Sequence, residues 1–317
     1  MEVEFYKAKF STRSIAFLID LFLMMVTSLL LVIASRYIVG AAPFYKKATN
    51  KINDIQMSSH LYEKNDNGDP IIKCDFYTIE SVEDCQTYNP VLDQSLKDFY
   101  SDELFFDQSD PESGMALYTK QRLDTGYFIY TDDSHSDVAP KEDVGAQALY
   151  KTYSSLMKND AVSYMSKNRD YIDSVKTINL SFIFLILVLP IVFSVTVFEY
   201  IIPLFLKRGR KTIGKLLMKI GVVDMQGLSP SLGRFTCRFL LFLFFEVALS
   251  VAFFIPLIVS MTMFTVSKLG QSFHDYVSGT YVVDANMSRI HLTKEELLKA
   301  RKEAENFELK SDMVNLD

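Results

Sequence analysis

Four acidic residues of this 317-residue chain stand where an acid is costly or oddly placed. Asp20, Glu199 and Glu246 lie inside long apolar runs, and Asp275 follows a histidine in SFHDYVSGTYVVD. A carboxylate in hydrocarbon costs about 2.5–3.5 kcal/mol on insertion scales, so it is rarely idle. Asp20 belongs to RSIAFLIDLFLMMVTSLLLVIAS (13–35), which opens on Arg13. The two are seven residues apart, hence on one helical face, but separated by about 10 Å along the axis unless Arg13 bends inward. Counted from the like-sided end of each run, Asp20, Glu199 and Glu246 all lie roughly 9–11 Å below one surface. Acids sharing one layer of low dielectric cannot all ionise, and such a cluster can bind a proton or a small cation. The bland reading is helix–helix glue, at about 0.6 kcal/mol per polar contact in membranes. Helix rotation decides between them, and depth counting does not fix it.

The other motifs carry less chemistry. GRKTIGK (209–215) begins like a phosphate-binding loop, but Leu216 stands where a Ser or Thr should hold magnesium, and an apolar run precedes it instead of a strand. His274 and Asp275 are adjacent without a nearby nucleophile. DQSDPESG and TDDSHSD are rich in oxygen ligands but lack the EF-hand order, so solvated turns are the better reading. The expectation is a protein with no catalytic motif, no cofactor, no metal site and no nucleic-acid partner.

These acids have to be positioned by membrane helices. Residues 14–35, 180–206 and 239–267 form three apolar blocks, each at or above the ~20 residues of a spanning helix. The expected class is mainly α, a polytopic α-helical membrane protein with a small extracytoplasmic insert that is mainly helical or α+β. Block 239–267 is long for one span and short for two, with Pro256 inside, so it reads as one kinked span or a short broken hairpin.

Charge gives the orientation. Residues 37–175 hold 24 acids and 13 bases, a net of −11; the rest of the chain holds 15 acids and 20 bases, a net of +5. The loop 207–238 has eight bases and one acid, Asp224. Lys and Arg near span ends favour the cytoplasm, which places the lead 1–13 and the loop 207–238 inside and 37–175 outside; the tail 268–317 has seven bases and nine acids, so charge alone does not decide its side, and its expected cytoplasmic place rests on Asp275, below. The lead reads as an uncleaved signal anchor, since its apolar run exceeds a signal core and contains Asp20. Lys207, Arg208, Arg210, Lys211, Lys215 and Lys219 are the expected contacts for anionic lipid at the cytoplasmic face, with 212–220 as an amphipathic helix on the leaflet. The tail opens on a capping pair, Thr293 and Glu296, before a charged solvated helix.

The 139-residue insert carries 19 aromatic residues, enough for a modest core. A helix is expected over 44–60, turns at 65–70, 107–114 and 131–137, a short hairpin within LYTKQRLDTGYFIYTDD, and a helix from about 143 to 176 that runs straight into the second span. Cys74 and Cys85 fall in this segment, where spacing alone does not decide whether they pair; Cys237, at a membrane edge, reads as inert.

RSIAFLID (13–20), KTIGKLLMKIGVVDMQG (211–227) and SFHDYVSGTYVVD (272–284), in this order between apolar blocks, resemble the RDD family of bacterial membrane proteins. The resemblance puts the family's Arg on Arg13 and its two Asp on Asp20 and Asp275. FEY (198–200) and Arg234 or Arg238 resemble further family features. The long insert, Arg210-Lys211 before the loop, and Ser278 before Gly279 depart from the pattern. The resemblance implies the bacterial cell membrane, with ion or proton-coupled transport in some members and undefined envelope roles in others. If Asp275 belongs beside Arg13, block 239–267 must enter and return. Two functions follow as expectations. One is proton or monovalent-cation handling by the cluster Arg13, Asp20, Glu199, Glu246 and Asp275. The other is a non-transporting anchor that displays 37–175 to a partner. Three spans make a thin transporter, so a homo-oligomer or another membrane protein is the expected companion.

Overall fold

A computed structural model describes residues 6–131, 138–249, 253–287 and 289–303. In chain order the elements are α1 (Phe10–Ala41), α2 (Pro43–Ser58), β1 (Tyr62–Lys64), β2 (Pro70–Ile72), α3 (Lys73–Phe76), α4 (Val82–Ser101), α5 (Gly114–Asp124), β3 (Phe128–Tyr130) and β4 (Val138–Pro140). Then come α6 (Ala146–Ser155), which stays helical through Met165, and α7 (Arg169–Phe205). Next are α8 (Ile213–Leu217), β5 (Ile220–Asp224), α9 (Leu232–Leu241, continued by Phe242–Ala248), α10 (Ile255–Val266), α11 (Phe273–Ser278) and β6 (Thr280–Asp284). The chain is mainly helical, and α1 and α7 are long and apolar enough to cross a membrane. It divides into two compact units, Arg36–Phe184 and Met1–Ser35 with Leu185–Asp317.

The first unit has a core of its own. Leu61, Leu92, Leu96, Phe99, Tyr100, Tyr118, Met157 and Met165 are fully buried. Ser81 starts α4 as a capping box: its hydroxyl accepts from Asp84 N (3.1 Å), and Asp84 Oδ2 accepts from Ser81 N (2.8 Å). Asn65 Oδ1 accepts from Asn67 N and Asp69 N, which closes the turn between β1 and β2. Inside the core, Tyr118 donates to Asp93 Oδ1 (2.8 Å), and the Arg122 guanidinium lies 4.4 Å from the Tyr118 ring centre.

Two local expectations need correction. LYTKQRLD is helical in α5, because its register buries Tyr118 and Arg122. The hairpin there is β3–β4, one strand of which lies beyond the expected segment. Positions 132–137 of TDDSHSD lie outside the described residues. Nor does one helix run from 143 into the second span: the chain breaks at 166–168, and Asn168 Oδ1 caps α7 by accepting from Asp170 N (3.0 Å) and Tyr171 N (3.2 Å).

Cys74 and Cys85 are free and buried. Burial pushes the Cys74 thiol up to about 11, so only about one molecule in ten thousand is thiolate at pH 7. A polar maleimide should therefore spare Cys74 and Cys85 in the folded protein and modify both after denaturation without reductant. Rapid labelling of the folded chain, or no labelling after denaturation, would contradict this arrangement.

The second unit buries charged groups beside its apolar clusters and exposes many large apolar side chains. Along α1, Arg13, Ala16, Asp20 and Met24 recur at three- and four-residue spacing and are buried, while Phe17, Leu18, Phe22, Met25 and Leu29 are exposed. Phe22 is 66% exposed and Asp20 1%. A water-soluble helix has the opposite pattern. Ser194 on α7 donates to the Met24 carbonyl (3.0 Å), which joins the two long helices where Met24, Val195 and Phe239 pack. Block 239–267 is two helical arms: Ser260 on α10 donates to Glu246 (2.6 Å), and α11 packs on both α9 and α10. β5 and β6 pair antiparallel, with Ile220 opposite Asp284, Val222 opposite Val282 and Asp224 opposite Thr280, and Ala8 N donates to the Val282 carbonyl (3.3 Å).

Candidate functional site

Asp20 is the anchor of a loop. Its Oδ2 accepts from the Thr212 hydroxyl and its Oδ1 from the backbone N–H of Gly214 (2.7 Å). The same Thr212 oxygen caps α8 by accepting from Lys215 N (3.3 Å). Gly214 packs directly on α1, with room for no Cβ beside the Ala16 carbonyl. Threonine-isoleucine-glycine-lysine thus has a local reason: a cap that also donates, a residue with no side chain at the close approach, and a cation one position on. That cation turns inward. Lys215 Nζ lies 3.6 Å from Glu199 Oε2 on α7, with both side chains largely buried, and Asp20 is within electrostatic reach of both. Tyr200, next to Glu199, hydrogen-bonds with Thr236 (3.0 Å) and stacks on Phe235 and Phe239.

A second cluster is built on Asp275. Arg238 Nε donates to Asp275 Oδ1 (2.7 Å), and Arg13 Nη2 lies 3.5 Å from Oδ2. Ser272 donates to Oδ2 (3.0 Å) and Thr280 to Oδ1 (3.2 Å). Arg13 also donates to the Gly270 carbonyl and lies 4.2 Å over the Phe264 ring. Burial by itself would raise the Asp275 carboxyl. Arg238, then His274 and Arg13, outweigh it and hold the group well below the usual carboxylate range. Two guanidiniums and two hydroxyls thus favour the ionised form of Asp275.

His274 joins this cluster to Glu246. Its Nδ1 lies 2.6 Å from Glu246 Oε1 and its Nε2 3.1 Å from Arg238 Nη2. A guanidinium only donates and an ionised Glu246 only accepts, so the ring lies between a donor at Nε2 and an acceptor at Nδ1. Ser272 Oγ is within hydrogen-bond distance of both ring nitrogens, 3.1 Å from Nε2 and 3.3 Å from Nδ1.

The structure thus sorts the expected residues into two sets. Arg13 and Asp275 meet. Asp20 and Glu199 share the neighbourhood of Lys215. Glu246 takes its hydrogen bonds from His274 and Ser260 rather than sharing a group with Asp20, so the expected single layer of three facing acids is replaced by separate partners. Of the expected lipid contacts, Lys207, Arg208 and Lys219 are exposed. Lys215 faces Glu199 instead, because the loop is tied to Asp20. Arg210 is directed to the Leu204 carbonyl (3.1 Å) and the Phe235 ring, and Lys211 is half-buried. Residues 212–220 do not form an amphipathic helix: α8 has five residues, and Ile220 starts a buried strand. The sequence grouped Asp20 with Arg13, Glu199 and Glu246, and gave no sign of its hydrogen bonds to Thr212 and Gly214 or of the role of Ser260. Arg238 was visible only as one of two candidate arginines.

Residues 149–279 match the model of the RDD family. The match takes in Glu199, the Thr212–Lys215 loop, Arg238, Glu246 and Asp275, and leaves out the helix that carries Arg13 and Asp20. No curated protein and no solved structure matches the chain.

Proposed function

From this chain's assignment to the RDD family over residues 149–279, we infer that it is a multi-pass protein of the bacterial cell membrane that handles protons or a monovalent cation through embedded carboxylates. One observation carries the reading. Asp20 and Glu199 have one cation between them, Lys215, whereas Arg13 and Arg238 flank Asp275 and His274 meets Glu246. The surplus negative charge therefore falls on Asp20 and Glu199, which share Lys215. An uncompensated carboxylate in a low-dielectric site takes up a proton or a cation. The apolar exterior of α1 supports its place in lipid. Positive-inside bias orients the N-terminus to the cytoplasm and the acidic 37–175 region outside. The two arms of block 239–267 enter and return, keeping Asp275 on the side of Arg13. Exposed Lys207, Arg208 and Lys219 face anionic lipid, and a second copy completes a bundle too thin to enclose a pathway alone.

The test is cation/proton exchange in liposomes containing the full chain, read with an internal pH dye under Na+, K+ or Li+ gradients. Glu199→Gln and Asp20→Asn should each reduce exchange to below about a tenth. Unchanged exchange in both, or none in the parent chain, would overturn the reading.

A second reading has its own support in the independent core of 36–184. A membrane anchor that displays this unit to an envelope partner requires such a core, whereas ion exchange does not. On that reading Asp20→Asn lowers folded yield but leaves cell-surface crosslinks of the full chain unchanged.

A further inference from the structure

The two acids that share Lys215 differ in what else they hold. Both oxygens of Asp20 already accept hydrogen bonds from the loop. Among the described residues Glu199 has the Lys215 ion pair and no hydrogen bond, and that pair, at 3.6 Å, is longer than a hydrogen bond. Asp20 is thus committed to positioning the Thr212–Lys215 loop, and Glu199 keeps unused acceptor capacity. Lys215 is rooted on a short helix stitched to α1, but its ammonium is a compact monovalent cation on a flexible four-carbon stem. It therefore resembles, in charge and size, the species that would neutralise Glu199.

We propose that Lys215 is a tethered resident cation on Glu199, which a free monovalent cation displaces on binding, so that Lys215 sets the affinity and Asp20 sets the position of Lys215. This rests on the reading of the site as cation-handling. When the cation enters, the ammonium swings away from Glu199 and the net charge of the seat is unchanged; when it leaves, the ammonium returns. The empty seat is never left as a bare buried carboxylate, which would be costly. A tethered ion that occupies its seat about nine-tenths of the time weakens the apparent affinity of a competitor about tenfold.

The experiment measures binding of Na+ and of K+ to the full-length protein in detergent, with choline as the inert cation. Lys215→Gln should tighten binding about tenfold, Lys215→Arg should leave it within about twofold, and Glu199→Gln should abolish it. If Glu199→Gln abolishes binding but Lys215→Gln does not tighten it, or Lys215→Arg tightens it equally, the Lys215 proposal falls while the cation reading stands. If neither the parent chain nor Lys215→Gln binds either cation, the underlying reading falls and this proposal with it. A measurement on the parent chain covers the case in which the variants do not fold. Acylation of Lys215 by an N-hydroxysuccinimide ester, read by mass spectrometry, should rise when Na+ or K+ replaces choline. No rise with either cation overturns the displacement.

Discussion

Gly214→Ala should leave little folded protein. A Cβ at this position would run into the Ala16 carbonyl oxygen and would come within 2.9 Å of both the Ala16 carbonyl carbon and Asp20 Oδ2. Neither neighbour is the free end of a flexible side chain. The carbonyl belongs to the backbone of α1, and the carboxylate is held by Thr212 and by the Gly214 N–H itself. Relief requires the loop to lift from the helix, and lifting breaks both hydrogen bonds to a carboxylate that is 1% exposed. Overpacking costs about 1–3 kcal/mol. Leaving a buried charge without its donors adds about 3–5 kcal/mol. The sum is comparable with the whole stability of a typical fold. Thermal unfolding in detergent and monodispersity on size exclusion should both collapse. A Gly214→Ala protein that unfolds within a few degrees of the parent would show that the loop does not press on α1. Thr212→Val, which removes one donor and leaves the close approach intact, should cost less, about 1–3 kcal/mol.

Asp275→Asn is expected to have the second largest effect. It preserves shape but strips the anion from between two buried guanidiniums. Arg13 and Arg238 would then repel each other with no carboxylate to offset them. Breaking one side of a buried charge pair costs about 3–5 kcal/mol, whereas replacing both partners is often near neutral. Asp275→Asn with Arg238→Met should therefore be more stable than Asp275→Asn alone, even though it changes more atoms. Unfolding temperatures of the two proteins, at matched detergent and salt, make the comparison; equal values would mean that charge is not what Asp275 supplies. The pH dependence follows from the sign of the shift. A carboxyl held below its unfolded value contributes stability that is complete above the ordinary carboxylate range and is lost as pH falls through that range toward its folded value. Between pH 5 and 9 Asp275 should therefore contribute no slope, and a stability change in that window must come from another group.

Much of the organisation was readable from residue order because it depends on composition and on short-range geometry. The apolar run 14–35, the basic loop 207–238 and the acidic insert are properties of local stretches. The burial of Arg13 and Asp20 on one stripe of α1 follows from a seven-residue spacing and the helical repeat. Within the insert, the helix near 44–60 and the turn at 65–70 appear where Pro43 and the Asn-Asp-Asn-Gly run place them.

The tertiary structure alone decided which partner each acid takes. Asp20 and Gly214 are separated by 194 positions, Glu246 and Ser260 by 14 across a chain reversal, and Arg238 and Asp275 by 37. Depth below a surface is a one-dimensional coordinate, and three acids at equal depth can still face different neighbours when their helices are rotated differently. The orientation of Lys215 was likewise invisible, because a lysine in a basic loop reads as solvated or lipid-facing until Asp20 ties that loop to α1. Residue order determined that Asp20, Glu199 and Glu246 lie within apolar runs and that cations lie near the ends of those runs. Only tertiary packing decided that Arg13 and Arg238 flank Asp275, that Thr212 and Gly214 take both oxygens of Asp20, and that Glu199, among the described residues, has one long ion pair, since hydrogen bonds and ion pairs act over a few ångströms that only three-dimensional contact supplies.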